Sequence, residues 1–129
     1  MSALTLADAP RVALAAVRLV NGGAALVLPR TLGHRLGIDP DANRAASYVL
    51  RLFGIRTVVI GLALVDKDPV VRANAVAVAA VVHASDAASA ALAGLTGQLP
   101  RRAALTATAI SSVNVALSLL ARRAQIAAR

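Results

Sequence analysis

The chain has 129 residues, of which 58% are hydrophobic and 16% are charged, and its mean hydropathy is +0.71. A soluble domain of this size needs more polar surface, and the absence of cysteine excludes a disulfide-stapled fold and a thiolate metal site. The net charge of +8 comes with no Lys/Arg-rich tract, one Phe, one Tyr and no Trp, so it gives no support to nucleic-acid binding. The composition favours a membrane protein with basic loops.

Four apolar runs follow one another along the chain. Their lengths are close to the roughly 20 residues that a helix needs to cross a hydrocarbon core of about 30 Å. Alanine dominates and period-2 alternation is absent, which argues against strands. The sequence therefore predicts an all-α, integral membrane four-helix bundle with short loops. We expect a single transmembrane domain over residues 1–129, with spans at 12–28, 47–65, 70–93 and 103–120.

The segments between the runs carry turn residues and charges. Residues 29–46 contain Pro29, Gly33, Gly37 and Pro40, which predicts a loop with room for a short interfacial turn. Residues 65–69, VDKDP, predict a tight turn that ends with a helix start at Pro69. Residues 94–102 predict a third loop. We call the end of the bundle that carries residues 29–46 and 94–102 side A, and the opposite end side B.

Ionisable residues inside the runs fall at similar depths. At about 1.5 Å of rise per residue, Arg18 and His83 lie about 15 Å below side A, Arg56 about 14 Å, Asp86 about 10 Å and Arg51 about 6 Å. His83 and Asp86 are three residues apart and share a helix face, as do Arg18 and Asn21. The sequence therefore predicts an intramembrane polar cluster, whose members are Arg18, Asn21, Arg51, Arg56, His83 and Asp86.

The predicted cluster holds three arginines but only one carboxylate. Arginine stays protonated in proteins, and Arg51 is shallow enough to reach side A. Only one of Arg18 and Arg56 can pair fully with Asp86, so the other is a candidate contact for a lipid phosphate or for a carboxylate of a partner subunit. Two alternatives stay open: an ion-pair network that only fixes helix register, and a proton relay between Asp86 and His83.

Catalytic and metal-binding patterns are absent from the sequence. The two histidines, His34 and His83, fall on a loop and in a span without ligand spacing, so we expect no metal site. No nucleotide loop, Ser-His-Asp order or pair of carboxylates appears, so we expect no cofactor, no catalytic residue and no enzyme. In the fourth run, the hydroxyls of Ser111 and Ser112 are expected to bond to their own helix, and Asn114 to a neighbouring one.

The segment Arg51-Leu-Phe-Gly-Ile-Arg56, followed by an apolar run with Gly61, resembles the Arg-x-x-Gly-x-Arg stretch of small four-helix bacterial membrane proteins in the DoxX-like group. The resemblance extends over the second to fourth runs, including HASDAASAALAGL in the third. It implies an integral membrane subunit of a larger assembly, with signature positions at Arg51, Gly54, Arg56 and Asp86. In size and layout the chain is also similar to small accessory subunits found beside mammalian-cell-entry-type lipid transporters. Neither likeness supplies a catalytic residue.

We therefore expect a non-catalytic accessory subunit of the bacterial cytoplasmic membrane that contacts membrane lipids and packs against a larger membrane complex, with a lipid transporter as one candidate. The alternative is a small membrane enzyme or a proton-coupled carrier that uses Asp86 and His83. Basic residues are nearly balanced between the two sides, and we expect both termini in the cytoplasm. Those of side B are Arg11, Lys67, Arg72, Arg122, Arg123 and Arg129, and those of side A are Arg30, Arg35, Arg44, Arg101 and Arg102.

Overall fold

The computed structural model describes residues 5–128, and Arg129 lies outside them. A short 3-10 turn, Leu6–Asp8, leads into five α-helices, and no strand occurs among the described residues. The predicted all-α fold is confirmed. The helices are α1 (Ala9–Val27), α2 (Pro29–Leu36), α3 (Ala45–Ala63), α4 (Pro69–Leu95) and α5 (Arg101–Ala127).

Four of the helices are long and apolar enough to cross a membrane, as the sequence predicts. At 1.5 Å of rise per residue, α1 and α3 are each about 28 Å long, close to the hydrocarbon thickness, whereas α4 and α5 are each about 40 Å long. The two longer helices must therefore tilt or extend into the interface. The chain is a multi-pass membrane protein, and its first and last transmembrane helices reach side B together, where Thr5 and Ala128 line the same cleft.

The expected loop over residues 29–46 is wrong in its first half, because α2 occupies it. Pro29 stands in the first turn of α2, where its missing N–H costs nothing, and Gly37 ends the helix in the left-handed conformation at φ 79°. The N–H groups of Gly37 and Ile38 donate to the carbonyl oxygens of His34 and Gly33. Proline and glycine are residue types that also mark loops, but in this segment they begin and end a short helix.

The transmembrane helices form two antiparallel pairs. α1 packs along α3, and α4 packs along α5, while the pairs join each other mainly through α1 and α5. Glycine permits the close approach within the pairs. A Cβ atom on Gly54 would lie 2.8 Å from the carbonyl oxygen of Gly22, and one on Gly94 would lie 2.5 Å from the Cβ of Ala104. α3 and α4, although consecutive, contact each other only sparsely.

The apolar core lies toward side B, between the start of α1, the end of α3, the start of α4 and the end of α5. Its largest fully buried members are Leu14, Leu64 and Val76, and alanines fill the space between them. Small side chains bring the helix backbones close together, which is how helices associate when lipid is as apolar as the protein. The middle of the bundle is filled differently, by polar side chains.

Candidate functional site

An ion pair links α3 to α4 halfway through the bundle. Nη2 of Arg56 lies 3.0 Å from both Oδ1 and Oδ2 of Asp86. The guanidinium carbon of Arg56 also lies 5.6 Å from the centre of the Phe53 ring, one turn earlier on α3, within the range of a cation–π contact. Asp86 and Phe53 therefore fix the guanidinium at this depth, and the pairing that the sequence offered to either Arg18 or Arg56 belongs to Arg56.

The Arg56 guanidinium is only partly used by this pair. One nitrogen serves both carboxylate oxygens, and neither Nε nor Nη1 donates a hydrogen bond to any residue between 5 and 128. The Arg56 side chain is 45% exposed and that of Asp86 is 23% exposed. The pair sits where α3 and α4 pack sparsely, so it faces outward from the bundle. We call this surface the α3–α4 flank, defined by Phe53, Arg56 and Asp86.

A second polar contact crosses from α1 to α4 in the interior. Arg18 and His83 are 1% and 4% exposed, and Arg18 Nη1 is hydrogen-bonded to His83 Nε2. Because arginine has no acceptor, Nε2 must accept, which makes His83 neutral with its proton on Nδ1. Arg18 Nε and His83 Nδ1 are buried without a hydrogen-bond partner among the described residues. A lipid or a partner subunit reaches Arg18 only if the packing around it changes.

The six residues of the predicted cluster separate into two pairs and two single residues. Arg56 pairs with Asp86 and Arg18 with His83, whereas no hydrogen bond in the described part of the chain involves the side chains of Asn21 or Arg51. Arg51 is exposed and lines a cleft at side A. The expected contact of Arg18 or Arg56 with a lipid or a partner stays a prediction, and the exposure of Arg56 makes it the better placed of the two.

Asp86 and His83 lie on the same helix but hold different partners. The carboxylate of Asp86 accepts from Arg56, and the imidazole of His83 accepts from Arg18. The two side chains make no direct hydrogen bond with each other in the described residues. The geometry therefore gives the Asp86–His83 proton relay no direct path.

Two arginines that the sequence analysis counted only among the basic residues of side B close the bundle there. Arg11, which is 9% exposed, donates to the carbonyl oxygen of Leu64 and, at 2.7 Å, to Asp8 Oδ1. Arg72 Nη1 donates to the carbonyl oxygens of Asp66 and Lys67 at 2.7 and 2.8 Å. The last carbonyls of a helix lack intrahelical donors, and α3 ends just before both sites. For Arg72, the signal in the sequence is its position in the first turn of α4, from which it can reach back to the carbonyl groups that follow α3.

The polar residues of α5 make different contacts from those expected. Asn114 is 3% exposed, but its Oδ1 accepts no hydrogen bond among residues 5–128, so the expected bond to a neighbouring helix is not formed by this atom. Ser118, which the sequence analysis did not single out, donates from Oγ to the carbonyl oxygen of Asn114 at 2.7 Å. This is the bond back to the same helix that serine commonly makes in apolar surroundings.

Within residues 5–128 no three His, Asp or Glu side chains come close enough together to hold a metal ion. No family model, curated protein or solved structure matches the chain. The resemblance of the Arg51–Arg56 segment to the DoxX-like group therefore stays a prediction.

Proposed function

We propose that this protein is a non-catalytic accessory subunit of a larger membrane complex, and that a helix of the partner docks on the α3–α4 flank. The observation that carries the proposal is the Arg56–Asp86 pair, partly exposed at membrane depth with donors left over. A charge at the bilayer centre costs at least about 2.5 kcal/mol on insertion scales, so such groups normally face protein or water. A covering helix would remove that cost.

Charge balance indicates the chemistry of the partner. With His83 neutral, the two contacts together contain two guanidinium groups and one carboxylate. A partner carboxylate placed against Arg56 Nη1 would balance the surplus charge and accept a charge-assisted hydrogen bond from a donor that the pair with Asp86 leaves free. We therefore infer that the partner helix carries an Asp or Glu near mid-membrane.

Depth favours a protein over a lipid headgroup at this position. Arg56 lies about 16 Å along α3 from its start at Ala45, and Asp86 lies about 14 Å along α4 from its end at Leu95. Headgroup phosphates lie at the surface of a core about 30 Å thick, roughly 15 Å from its centre. A partner side chain is available at that depth without deforming the bilayer.

The resemblances support the setting of the proposal. The resemblance to the DoxX-like group implies a bacterial membrane subunit. The likeness to accessory subunits of mammalian-cell-entry-type transporters makes a lipid transporter a candidate for the complex. We place the protein in the bacterial cytoplasmic membrane with both termini in the cytoplasm.

Purification in a mild detergent tests the proposal. We expect wild-type protein to retain membrane subunits in fixed stoichiometry, and Arg56→Leu to lose them while the isolated bundle keeps its helical content. Arg123→Leu, which removes an exposed arginine from α5, is the matched control and should retain them. If Arg56→Leu keeps every subunit that the wild type holds and only becomes less stable, the Arg56–Asp86 pair stabilises only the bundle itself and the proposal fails.

A further inference from the structure

A basic cleft lies at side A, where α2 meets the start of α3. It has a volume of about 540 Å³ and is open to the outside. Three arginines and one carboxylate supply its charged groups, so its lining carries a surplus of positive charge. The lining residues are Arg30, Pro40, Asp41, Arg44, Ser47 and Arg51.

The spacing of the chain assembles this cleft. Arg44, Ser47 and Arg51 follow at intervals of three and four residues, so they share one face over the first turns of α3. α2 brings Arg30 to the opposite wall, because Gly37 ends that helix and returns the chain toward α3. Three guanidinium groups from two helices therefore converge on one space.

The nearby carboxylates are already engaged. Asp41 Oδ1 accepts from Arg30 Nη2 at 2.6 Å. The N–H of Asp41 donates to Asp39 Oδ1 at 2.9 Å, and backbone hydrogen bonds from Asp41 and Ala42 hold the pKa of Asp39 below its usual range. The side chains of Arg44 and Arg51 make no hydrogen bond or ion pair with any described residue. Two guanidinium groups of the cleft thus keep all their donors for a ligand.

The cleft lies at the level of lipid headgroups. Arg51 is about 9 Å along α3 from Ala45, within reach of the interface for a long side chain, and Arg44 and Asp41 precede the helix. Paired guanidinium groups bind phosphate through several charge-assisted hydrogen bonds. We propose that this cleft binds a phosphate group, carried either by an anionic phospholipid of the side A leaflet or by a soluble phosphate ester. The proposal is independent of the partner that we infer for the α3–α4 flank.

Binding to the full-length protein in nanodiscs of phosphatidylcholine tests this site, with short-chain phosphatidic acid as the probe. We expect phosphatidic acid to bind in preference to phosphatidylcholine. The double variant Arg44→Gln/Arg51→Gln should bind roughly a hundredfold more weakly, because each charge-assisted hydrogen bond contributes roughly a tenfold factor. Raising the salt concentration should weaken binding as well.

A matched double variant distinguishes binding in the cleft from a general attraction of anionic lipid to basic residues. Arg101→Gln/Arg102→Gln removes the same charge from the same side of the membrane, outside the cleft, and should bind almost as the wild type does. Asp41→Asn removes the carboxylate that holds Arg30 and should tighten binding severalfold. Equal losses in the two double variants would overturn the proposal. If the Arg44/Arg51 variant does not fold, unchanged or weaker binding by Asp41→Asn would overturn it.

Competition identifies the source of the phosphate. If inorganic phosphate displaces phosphatidic acid at the concentrations that phosphate esters commonly reach in cells, the result supports a soluble phosphate ester as the ligand. Retention of phosphatidic acid against inorganic phosphate supports a headgroup, whose acyl chains hold it beside the cleft. Absence of a preference for phosphatidic acid over phosphatidylcholine in the wild type would contradict both.

Discussion

The α1–α3 seam and the α3–α4 flank both join consecutive transmembrane helices, but they are built in opposite ways. At the seam, two backbones meet so closely that a Cβ atom on Gly54 would overlap the backbone of α1 and one on Gly22 would lie only 3.0 Å from the backbone of α3. At the flank, a short turn connects the helices at side B, and one ion pair bridges a sparse contact farther along. A short turn therefore makes helices antiparallel without making them pack, and small side chains decide where the packing occurs.

A polar interior completes this contrast. Arg18 reaches from α1 to His83 on α4, so a side-chain hydrogen bond joins α4 to the first helix pair at mid-membrane. Polar contacts between membrane helices contribute modestly on average, about 0.6 kcal/mol, but an unpaired buried charge costs several times more. Substitutions in the buried polar contact should therefore act by leaving a charge unpaired, whereas substitutions at the glycine seam should act by overpacking.

The largest loss of stability is expected in the polar interior of the bundle, at His83. His83→Ala removes the acceptor of a cation that is 1% exposed and should lower the free energy of unfolding by about 3 kcal/mol. Arg18→Leu removes the charge itself and should cost only about 1 kcal/mol, because the neutral imidazole left behind is cheaper to bury. Unfolding of both variants in detergent measures the two values. A larger loss for Arg18→Leu would mean that Arg18 makes the more important contact.

The glycine seam should give the next effect. Gly54→Ala places a Cβ within 2.7 Å of the Leu26 backbone nitrogen and should destabilise the protein by about 2 kcal/mol through overpacking. Gly23→Ala is its control, since no atom lies within 4 Å of the added Cβ, and it should stabilise α1 by about 0.5 kcal/mol. Thermal unfolding followed by circular dichroism compares them. Equal responses would show that the seam is looser than described.

The flank should give the smallest effect on stability. Asp86→Ala leaves Arg56 without its carboxylate, but the arginine is exposed to the detergent in the unfolded protein as well. The loss is therefore set by the polar contact itself, and we expect about 1 kcal/mol. The double variant Arg56→Leu/Asp86→Ala should recover most of it, and the difference measures the coupling. A loss as large as that of His83→Ala would indicate that the flank is sealed within the isolated bundle.

The sequence predicted the spans and brought Arg56 and Asp86 to a similar depth because both depend on counting residues along a helix, but it offered the pairing with Asp86 equally to Arg18. Length and composition identify the spans, and the similar depths of Arg56 and Asp86 place them together. α2 was missed because Pro29 and Gly37 have the same residue types at helix ends as in loops. The burial of Arg18 against His83 and the open α3–α4 flank depend on which helix faces meet, and the abundant alanine allows several registers.

Site-specific photo-crosslinking in native membranes tests the docking proposal most directly. A photoreactive amino acid at Leu52, which is 50% exposed and one turn from Arg56 on the same face of α3, should crosslink to another membrane protein. The same group at Val113, which is 57% exposed on α5, should not, and Arg56→Leu should abolish the crosslink from Leu52. Crosslinks only to lipid, crosslinks only to a second copy of the chain, or equal capture from both positions would contradict a partner subunit on the α3–α4 flank.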